Sequence, residues 1–514
     1  MKVIQSLGVL LFLVGLAFFT VMPFLGDYTL TEDQVLGNTK DIHQKKMAEI
    51  LSPMYSETYS SNFSFLSAYN ENFNEYNEAL KAESKWDEVI WDDYSLPLAQ
   101  SSLSSPVRDN PWLFLGLSIG LAVLGGLMYN LPKYQGEPSG IKNNGIFHSS
   151  MKNRGWMGKI TGAYLILFYI ILYWFPAYIV NQVWMVTPLS MILSGNPASQ
   201  WFLYGTIYTL AIIVMGVRMF RKYRGNKYQQ LRTASVMFFQ TAFAFLIPEI
   251  LVLLNQPYFD FKNIWPLDYD FFYDYQIDTF LSSGGVGMFM LIWGILLIVI
   301  GVPTFTYFFG KRWYCSWVCG CGGLAETVGD PYRQLSDKSL KAWKYERVII
   351  HSVLVLAVVM TALTIANYFS GFALLGNATN QLHSFYGFAI GSVFAGVVGT
   401  GFYPFMGNRV WCRFGCPLAA YLGLVQRFKS RFRITTNGGQ CISCGNCSTH
   451  CEMGIDVRWY AQRGQEIVRS SCVGCGVCSS VCPRGVLKLE NGPEENRINE
   501  MPIIIGNDSI KINA

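Results

Sequence analysis

The chain has 514 residues, 51% of them hydrophobic and only 14% charged, against roughly 25% charged in soluble globular domains. A net charge of +5 and an aromatic content of 15% suit membrane helices with interfacial anchors, and nothing in the composition points to nucleic acid binding. All 13 cysteines lie beyond residue 314 in short-spaced groups, which in a reducing compartment reads as metal ligation, not as disulfides.

In chain order, apolar runs occur near 3–25, 111–131, 160–182, 201–219, 233–254, 286–309, 348–368 and 385–406. Each approaches the ~20 residues that cross a hydrocarbon layer, so the sequence predicts an α-helical multi-pass membrane protein with about eight spans. Residues 1–26 open on Met1 and Lys2 with no small-residue cleavage site before Gly26, and are read as an uncleaved anchor in place of a signal peptide. Residues 27–110 hold 15 acidic side chains, among them Glu32, Asp33, Asp92 and Asp93, against six basic ones. They read as an acidic extracytoplasmic segment, with helix-compatible spacing over 64–94 and no flavin-attachment pattern.

Residues 111–435 read as a membrane domain whose loops alternate in charge. The loop 132–158 carries Lys133, Lys142, Lys152 and Arg154, and 220–232 carries Arg221, Lys222, Arg224, Lys227 and Arg232 with no acid. The loop 256–283 is acidic, with Asp260, Asp268, Asp270, Asp274 and Asp278. Positive-inside sorting then places both termini and every cysteine on the cytoplasmic side of a bacterial inner membrane. Glu249 within a span is a candidate functional carboxylate or an interfacial partner. His351 and His383 fall at opposite membrane faces and so cannot share a haem. Gly387, Gly391, Gly396 and Gly399 predict close packing in the last span.

Two segments repeat without gaps. Gly310-Lys-Arg312-Trp-Tyr-Cys315-x3-Cys319 recurs 97 residues on as Gly407-Asn-Arg409-Val-Trp-Cys412-x3-Cys416. On a helix, i and i+4 would put both thiols of a pair on one face, and Arg312 and Arg409 would favour thiolates by lowering the thiol pKa. Two pairs offer four ligands for one further metal or Fe–S centre; reduced structural thiols are the alternative. Cys321 is an extra thiol, either a substitute ligand or a small buried residue. Beyond Cys416, Pro417 can begin a helix with Leu418, Tyr421, Leu422, Val425 and Phe428 on one face. Its basic end, Arg427, Lys429, Arg431 and Arg433, would meet lipid headgroups and dock the C-terminal segment near the cysteine pairs.

Residues 436–490 carry the strongest signal. Cys441-x2-Cys444-x2-Cys447-x3-Cys451 precedes Cys472-x2-Cys475-x2-Cys478-x3-Cys482-Pro483, the run of two-cluster ferredoxins in which each fourth Cys serves the other cluster. Cys441, Cys444, Cys447 and Cys482 would hold one [4Fe–4S] cluster, and Cys472, Cys475, Cys478 and Cys451 the second, in a small α+β ferredoxin-like domain. Structural zinc is the competing reading of CxxC pairs. Glu452 stands where the pattern has Pro. Residues 491–514 form a tail.

The segments Tyr314-Cys315-Ser-Trp-Val-Cys319 and Trp411-Cys412-Arg-Phe-Gly-Cys416-Pro417, together with the ferredoxin run, resemble the NapH/NosR family of membrane-bound polyferredoxins over about 286–490. Gly320 departs from that family's Pro after the second Cys. The related FixG/CcoG-like group carries a C-terminal immunoglobulin-like domain, for which the segment after Cys482 is too short. The resemblance implies electron relay between the quinone pool and a protein donor or acceptor in a respiratory complex. The alternatives are a redox assembly factor for a respiratory metalloenzyme and a redox-sensing regulator. No substrate chemistry of its own is legible.

Overall fold

The computed structural model describes residues 1–514 except 56, 84, 86–87, 136–152, 429, 468, 493–503, 506–509 and 512–514. Lys142, Lys152, Lys429 and most of the tail 491–514 therefore lie outside the described residues. Eight helices are long and apolar enough to cross a membrane: Lys2–Phe24, Pro111–Asn130, Trp156–Trp174, Gln200–Lys222, Lys227–Leu253, Gly284–Phe309, Leu340–Phe369 and Ala378–Gly401. Each coincides with one expected run. Only 11% to 44% of each apolar stretch is buried, so most of these side chains face outward, an arrangement that lipid accepts and water does not. The protein is a multi-pass membrane protein.

The third span is shorter than expected. Pro176, which lacks an N–H, interrupts the run after Trp174, and Val180–Leu193 forms a separate helix buried on most of its faces.

Contacts divide the chain into two units. The first comprises Met1–Tyr129 with Ile170–Ile207. Its first two spans, Lys2–Phe24 and Pro111–Asn130, approach closely at small residues: a Cβ on Gly8 would lie 2.7 Å from the Gly125 carbonyl oxygen, and one on Gly15 2.5 Å from that of Ser118. Within 27–110, strands Asp27–Thr29, Thr58–Tyr59 and Leu103–Ser104 form a small sheet. Helices pack round a core of Tyr28, Val35, Met47, Phe65, Leu66 and Leu98. The helix expected over 64–94 is Asn62–Ala82, capped by the Ser61 side chain, and it is shorter at its C-terminal end than the spacing predicted.

The second unit, Asn130–Tyr169 with Tyr208–Ala514, holds every cysteine. Its acidic loop 256–283 does not simply face outward, as its charge suggested. Phe259, Ile264 and Phe271 are buried in the same apolar cluster as Cys315, Cys319, Cys412 and Cys416. The Trp265 indole donates to Thr361 Oγ1 at 2.9 Å, and the Tyr314 hydroxyl donates to the Lys262 carbonyl at 2.9 Å. The loop thus folds back among the spans, where irregular backbone survives only under protein cover. The predicted glycine packing is against aromatic rings: Gly387 and Gly391 abut Tyr269, and Gly399 abuts Trp411.

Residues 432–491 form the terminal module. Phe432–Thr436 pairs antiparallel with Leu487–Asn491, Ile434 opposite Leu489. Between them run two similar turns, each ending in a short helix, Asn446–Thr449 and Val477–Ser480. Gly445 and Gly476 start these helices at φ 78° and 74°, a left-handed conformation that favours glycine.

The helix Pro417–Phe428 departs from expectation. It docks the module with most of its apolar face buried in protein, Leu418, Ala419, Ala420, Leu422 and Gly423 among it, while Phe428 at its basic end is exposed. Gln426 accepts from the Lys311 amide at 2.6 Å and donates to the Cys472 and Arg469 carbonyls at 2.9 and 3.2 Å. A Cβ on Gly423 would lie 2.6 Å from the Ser470 carbonyl. Gly423→Val should therefore push the module off its helix, at ~1–3 kcal/mol for overpacking. The expected readout is a lower thermal midpoint in detergent and faster proteolysis near residue 440, with membrane insertion unchanged.

Candidate metal centres

Two cavities open in the module. One is lined by Cys441, Cys444, Cys447 and Cys482, the other by Cys451, Cys472, Cys475 and Cys478. These are the two interleaved quartets that the spacing predicted. The short helices carry Cys447 and Cys478, and the strand pair returns Cys482 to the first turn. Backbone amides reach the sulfurs: Ser448 donates to Cys447, Gly474 to Cys472, and Met453 and Ile455 to Cys451.

Four thiols lining one cavity are the ligand set of a [4Fe–4S] centre, and a single zinc takes the same number.

The repeated pairs converge. Cys315, Cys319, Cys412 and Cys416 are 5%, 8%, 6% and 6% exposed, and each thiol lies within electrostatic range of the other three. Neither pair lies on one helix, contrary to the i, i+4 expectation. Arg312–Cys315 is a single turn, and Cys319 stands in extended conformation at the N-terminus of Gly320–Thr327. Trp411–Gly415 is likewise a turn, and Cys416 precedes Pro417–Phe428. Each second cysteine therefore meets a helix N-terminus, where free amides favour a thiolate. The Ala419 N–H lies 3.4 Å from Cys416 Sγ, and the Gly322 N–H reaches Cys319. Cys321 bonds Cys319 and lies within range of Cys412 and Cys416, so it belongs to this thiol group. Its hydrogen bond, with the Gly322 amide, Lys262 and Arg409, holds Cys319 down at about 6 against the effect of burial.

The arginine expectation holds for one repeat only. The Arg409 guanidinium lies 3.6 Å from Cys412 Sγ and donates to the Cys315 carbonyl at 3.3 Å. Arg312 instead stacks on Phe432, 4.0 Å from the ring centre, and donates to the Phe309 carbonyl. Lys311 takes its place beside Cys315. Burial still outweighs these cations, pushing Cys315 up to about 12 and raising Cys412, so metal uptake here would release protons.

Sequence reading missed the buried ionic network behind these cysteines. Arg409 pairs with Glu326, and with Glu452 at 3.0 Å. Glu452, next to Cys451 in the chain, also takes Asn408 at 3.2 Å and Arg333 at 3.7 Å. Asp330 binds Lys222, Arg218 and Arg333 at 2.8, 3.1 and 2.9 Å, and Arg232 meets Glu326 at 2.7 Å. Burial drives Glu452 upward, but Arg409, Arg333 and Arg232 hold it at about 2; burial dominates at Glu326, raised to about 7 despite Arg232 and Arg409. Burial likewise raises Asp330, and Lys222, Arg333 and Arg218 overcome it, leaving its carboxyl well below the usual range. The available signals were the carboxylate in place of Pro after Cys451 and the charged run Glu326 to Arg333, which the second repeat lacks. Lys222 and Arg232, read from the sequence as basic residues of a cytoplasmic loop, belong to this network.

Five cations here face three carboxylates. Arg232 Nε and Nη2, Arg333 Nη1 and Arg409 Nε are buried with no hydrogen-bond partner among the described residues. Arg232 and Arg333 act on Cys475. Surplus positive charge and orphaned donors beside this quartet fit an anionic group such as a thiolate-bound iron–sulfur cluster. Asp330→Asn should cost ~3–5 kcal/mol, the penalty for stranding buried partners. It should appear as a lowered thermal midpoint in detergent, larger than that of an exposed Asp337→Asn control.

Comparison with known proteins agrees with this chemistry. A family described as "4Fe-4S binding domain" matches twice, at 291–339 and 387–435, and one described as "4Fe-4S dicluster domain" matches 433–483. The chain therefore carries iron–sulfur domains. Over 171 residues it is 29% identical to the Escherichia coli (strain K12) protein named "Putative electron transport protein YccM", covering 29% of this chain and 43% of that protein. The chain thus spans less than half the length of this curated relative. No solved structure matches.

Proposed function

We propose that this protein is a membrane-bound iron–sulfur electron-transfer component that relays electrons between the quinone pool and a protein partner of a respiratory or reductase system. The observation that carries the reading is that each quartet of ferredoxin-type cysteines lines its own cavity. The twofold match to an iron–sulfur domain and the likeness to an electron transport protein support it, as does the resemblance to the NapH/NosR polyferredoxins.

In this reading Cys441, Cys444, Cys447 and Cys482 hold one [4Fe–4S] cluster, and Cys451, Cys472, Cys475 and Cys478 a second. Cys315, Cys319, Cys412 and Cys416 hold a further iron–sulfur centre. When bound, these clusters supply reversible one-electron chemistry. The chain's own part is to hold and insulate them. Gln426, Tyr228 and Gln229 clamp the Cys472, Gly474 and Cys475 carbonyls at 2.9, 2.8 and 2.7 Å. Ser316 fastens Val473 at 2.8 Å to the segment between Cys315 and Cys319. The membrane thiols follow the spans Gly284–Phe309 and Ala378–Gly401 in the chain, and in this reading they take electrons from a lipid-soluble quinol. The chain lies in the bacterial inner membrane with its module cytoplasmic. An assembly factor that reduces a metal or thiol for another enzyme would use the same parts, and differs in its acceptor.

Anaerobically purified full-length protein should contain about twelve irons for three four-iron centres, and stoichiometric zinc without iron would sink the assignment. Cys319→Ser and Cys416→Ser should each lower iron by about four and abolish quinol-dependent reduction of the module, while its EPR signals on dithionite reduction persist. The double variant should be little worse than either single, as for residues acting as one unit.

For topology, a reporter active only in the cytoplasm should give signal when fused after residue 225 and none after residue 100 or 270. Signal at 270 would overturn the eight-span orientation.

A further inference from the structure

The two quartets differ in what covers them. The Cys472–Cys482 side is gripped by the membrane segments through Tyr228, Gln229, Ser316 and Gln426. The hydrogen bonds of 441–449 stay within the module, to Asp456, Arg458 and Gln462. There Cys444 and Ile442 are exposed, Ile442 at 57%, and Trp459, 43% exposed, follows the cavity-lining Arg458 on the helix Val457–Gln462.

Charge on this module is one-sided. Among the described residues from 436 to 491, every charged side chain classed as exposed is basic: Arg458, Arg463, Arg484 and Lys488. Arg458 and Arg484 line the mouth of the cavity that holds Cys441 and Cys444, and Arg463 stacks on Trp459, 4.1 Å from its ring centre. The acids are less exposed: Glu452 is buried in the ionic network, Asp456 is half-buried and takes the Ser448 hydroxyl at 2.6 Å, and Glu466 and Glu490 are half-buried as well. Exposed Arg and Trp around an apolar residue make the kind of surface that protein interfaces favour. A rim of one sign speeds encounter with a partner of the other.

We propose that the face around Cys441–Cys444, with Ile442, Arg458, Trp459, Arg463 and Arg484, is the docking surface for a soluble, acidic electron-carrier protein. This rests on the reading that Cys441, Cys444, Cys447 and Cys482 hold a cluster, and it names the partner on that side of the relay. A protein partner is favoured over anionic lipid because the module's membrane attachment is made by its opposite side.

The test is binding of an acidic flavodoxin to the full-length, iron-loaded protein in nanodiscs, measured by surface plasmon resonance, with a basic cytochrome c as control. Association should slow about tenfold as ionic strength rises from about 0.01 to 0.15 M. Arg463→Glu, at a residue outside the cluster cavity, should slow it severalfold at low salt, with iron content and EPR signals unchanged. The milder Arg463→Gln should fall between Arg463→Glu and the native protein. Unchanged, salt-insensitive association in iron-replete variants would overturn the surface and leave the electron-transfer reading standing. Equal association of the basic control would overturn it too, as would charge reversal that spares flavodoxin but abolishes capture of anionic phosphatidylglycerol vesicles. A full-length protein with no iron–sulfur signal would overturn the underlying reading, and the surface with it.

Discussion

The contact on which the thiol architecture depends is the buried ion pair between Arg409 and Glu452. Arg409 comes from the second membrane repeat and touches Cys412 and the backbone of Cys315. Glu452 comes from the module and adjoins Cys451, 3.0 Å from the Arg409 guanidinium. One ion pair therefore sets the second quartet against the membrane thiols. Glu326 shares the same guanidinium, so three segments distant in sequence meet at one side chain.

Such a network is a poor source of net stability, because desolvating the ions offsets much of their attraction. What it supplies is register. A buried charge without its partner is costly, so the module docks where its Glu452 meets Arg409 and Arg333. The surplus of cations has a second consequence. The site is best satisfied when an anionic group lies beside Arg232 and Arg333, as a cluster held by the adjacent quartet would. The apolar contacts around it, Gly423 on Ser470 and Phe432 under Arg312, shape the fit but do not choose the register.

The two repeats have diverged around a shared plan. Both put the second cysteine at a helix N-terminus, so both use backbone amides in place of a helical i, i+4 face. They differ in their basic residue: Arg409 works at the thiols, whereas Arg312 has turned to Phe432 and leaves Lys311 beside Cys315. They differ again just after the second cysteine, with Gly320 and Cys321 in one and Pro417 in the other. The 256–283 loop folds inward, and its Phe259, Ile264 and Phe271 join the apolar cluster that holds the same thiols.

Eight spans, the iron–sulfur character of the module and the pairing of its cysteines into two quartets were legible in the sequence, because hydrophobic length and ligand spacing are local properties. The two x2–x2–x3 runs confine each quartet to short turns, and an apolar run of the right length has few alternatives in lipid. The convergence of Cys321 with the paired cysteines, the inward course of the 256–283 loop and the burial of Pro417–Phe428 were decided only by tertiary structure. So was the role of Glu452, which in the sequence is a missing proline and in the fold is the partner of Arg409 and Arg333. The reason is physical: periodicity shows that a face is apolar but not whether lipid or protein covers it. Likewise a lone charge in the sequence has no visible partner until segments far apart along the chain bring a counter-ion within about 3 Å of it.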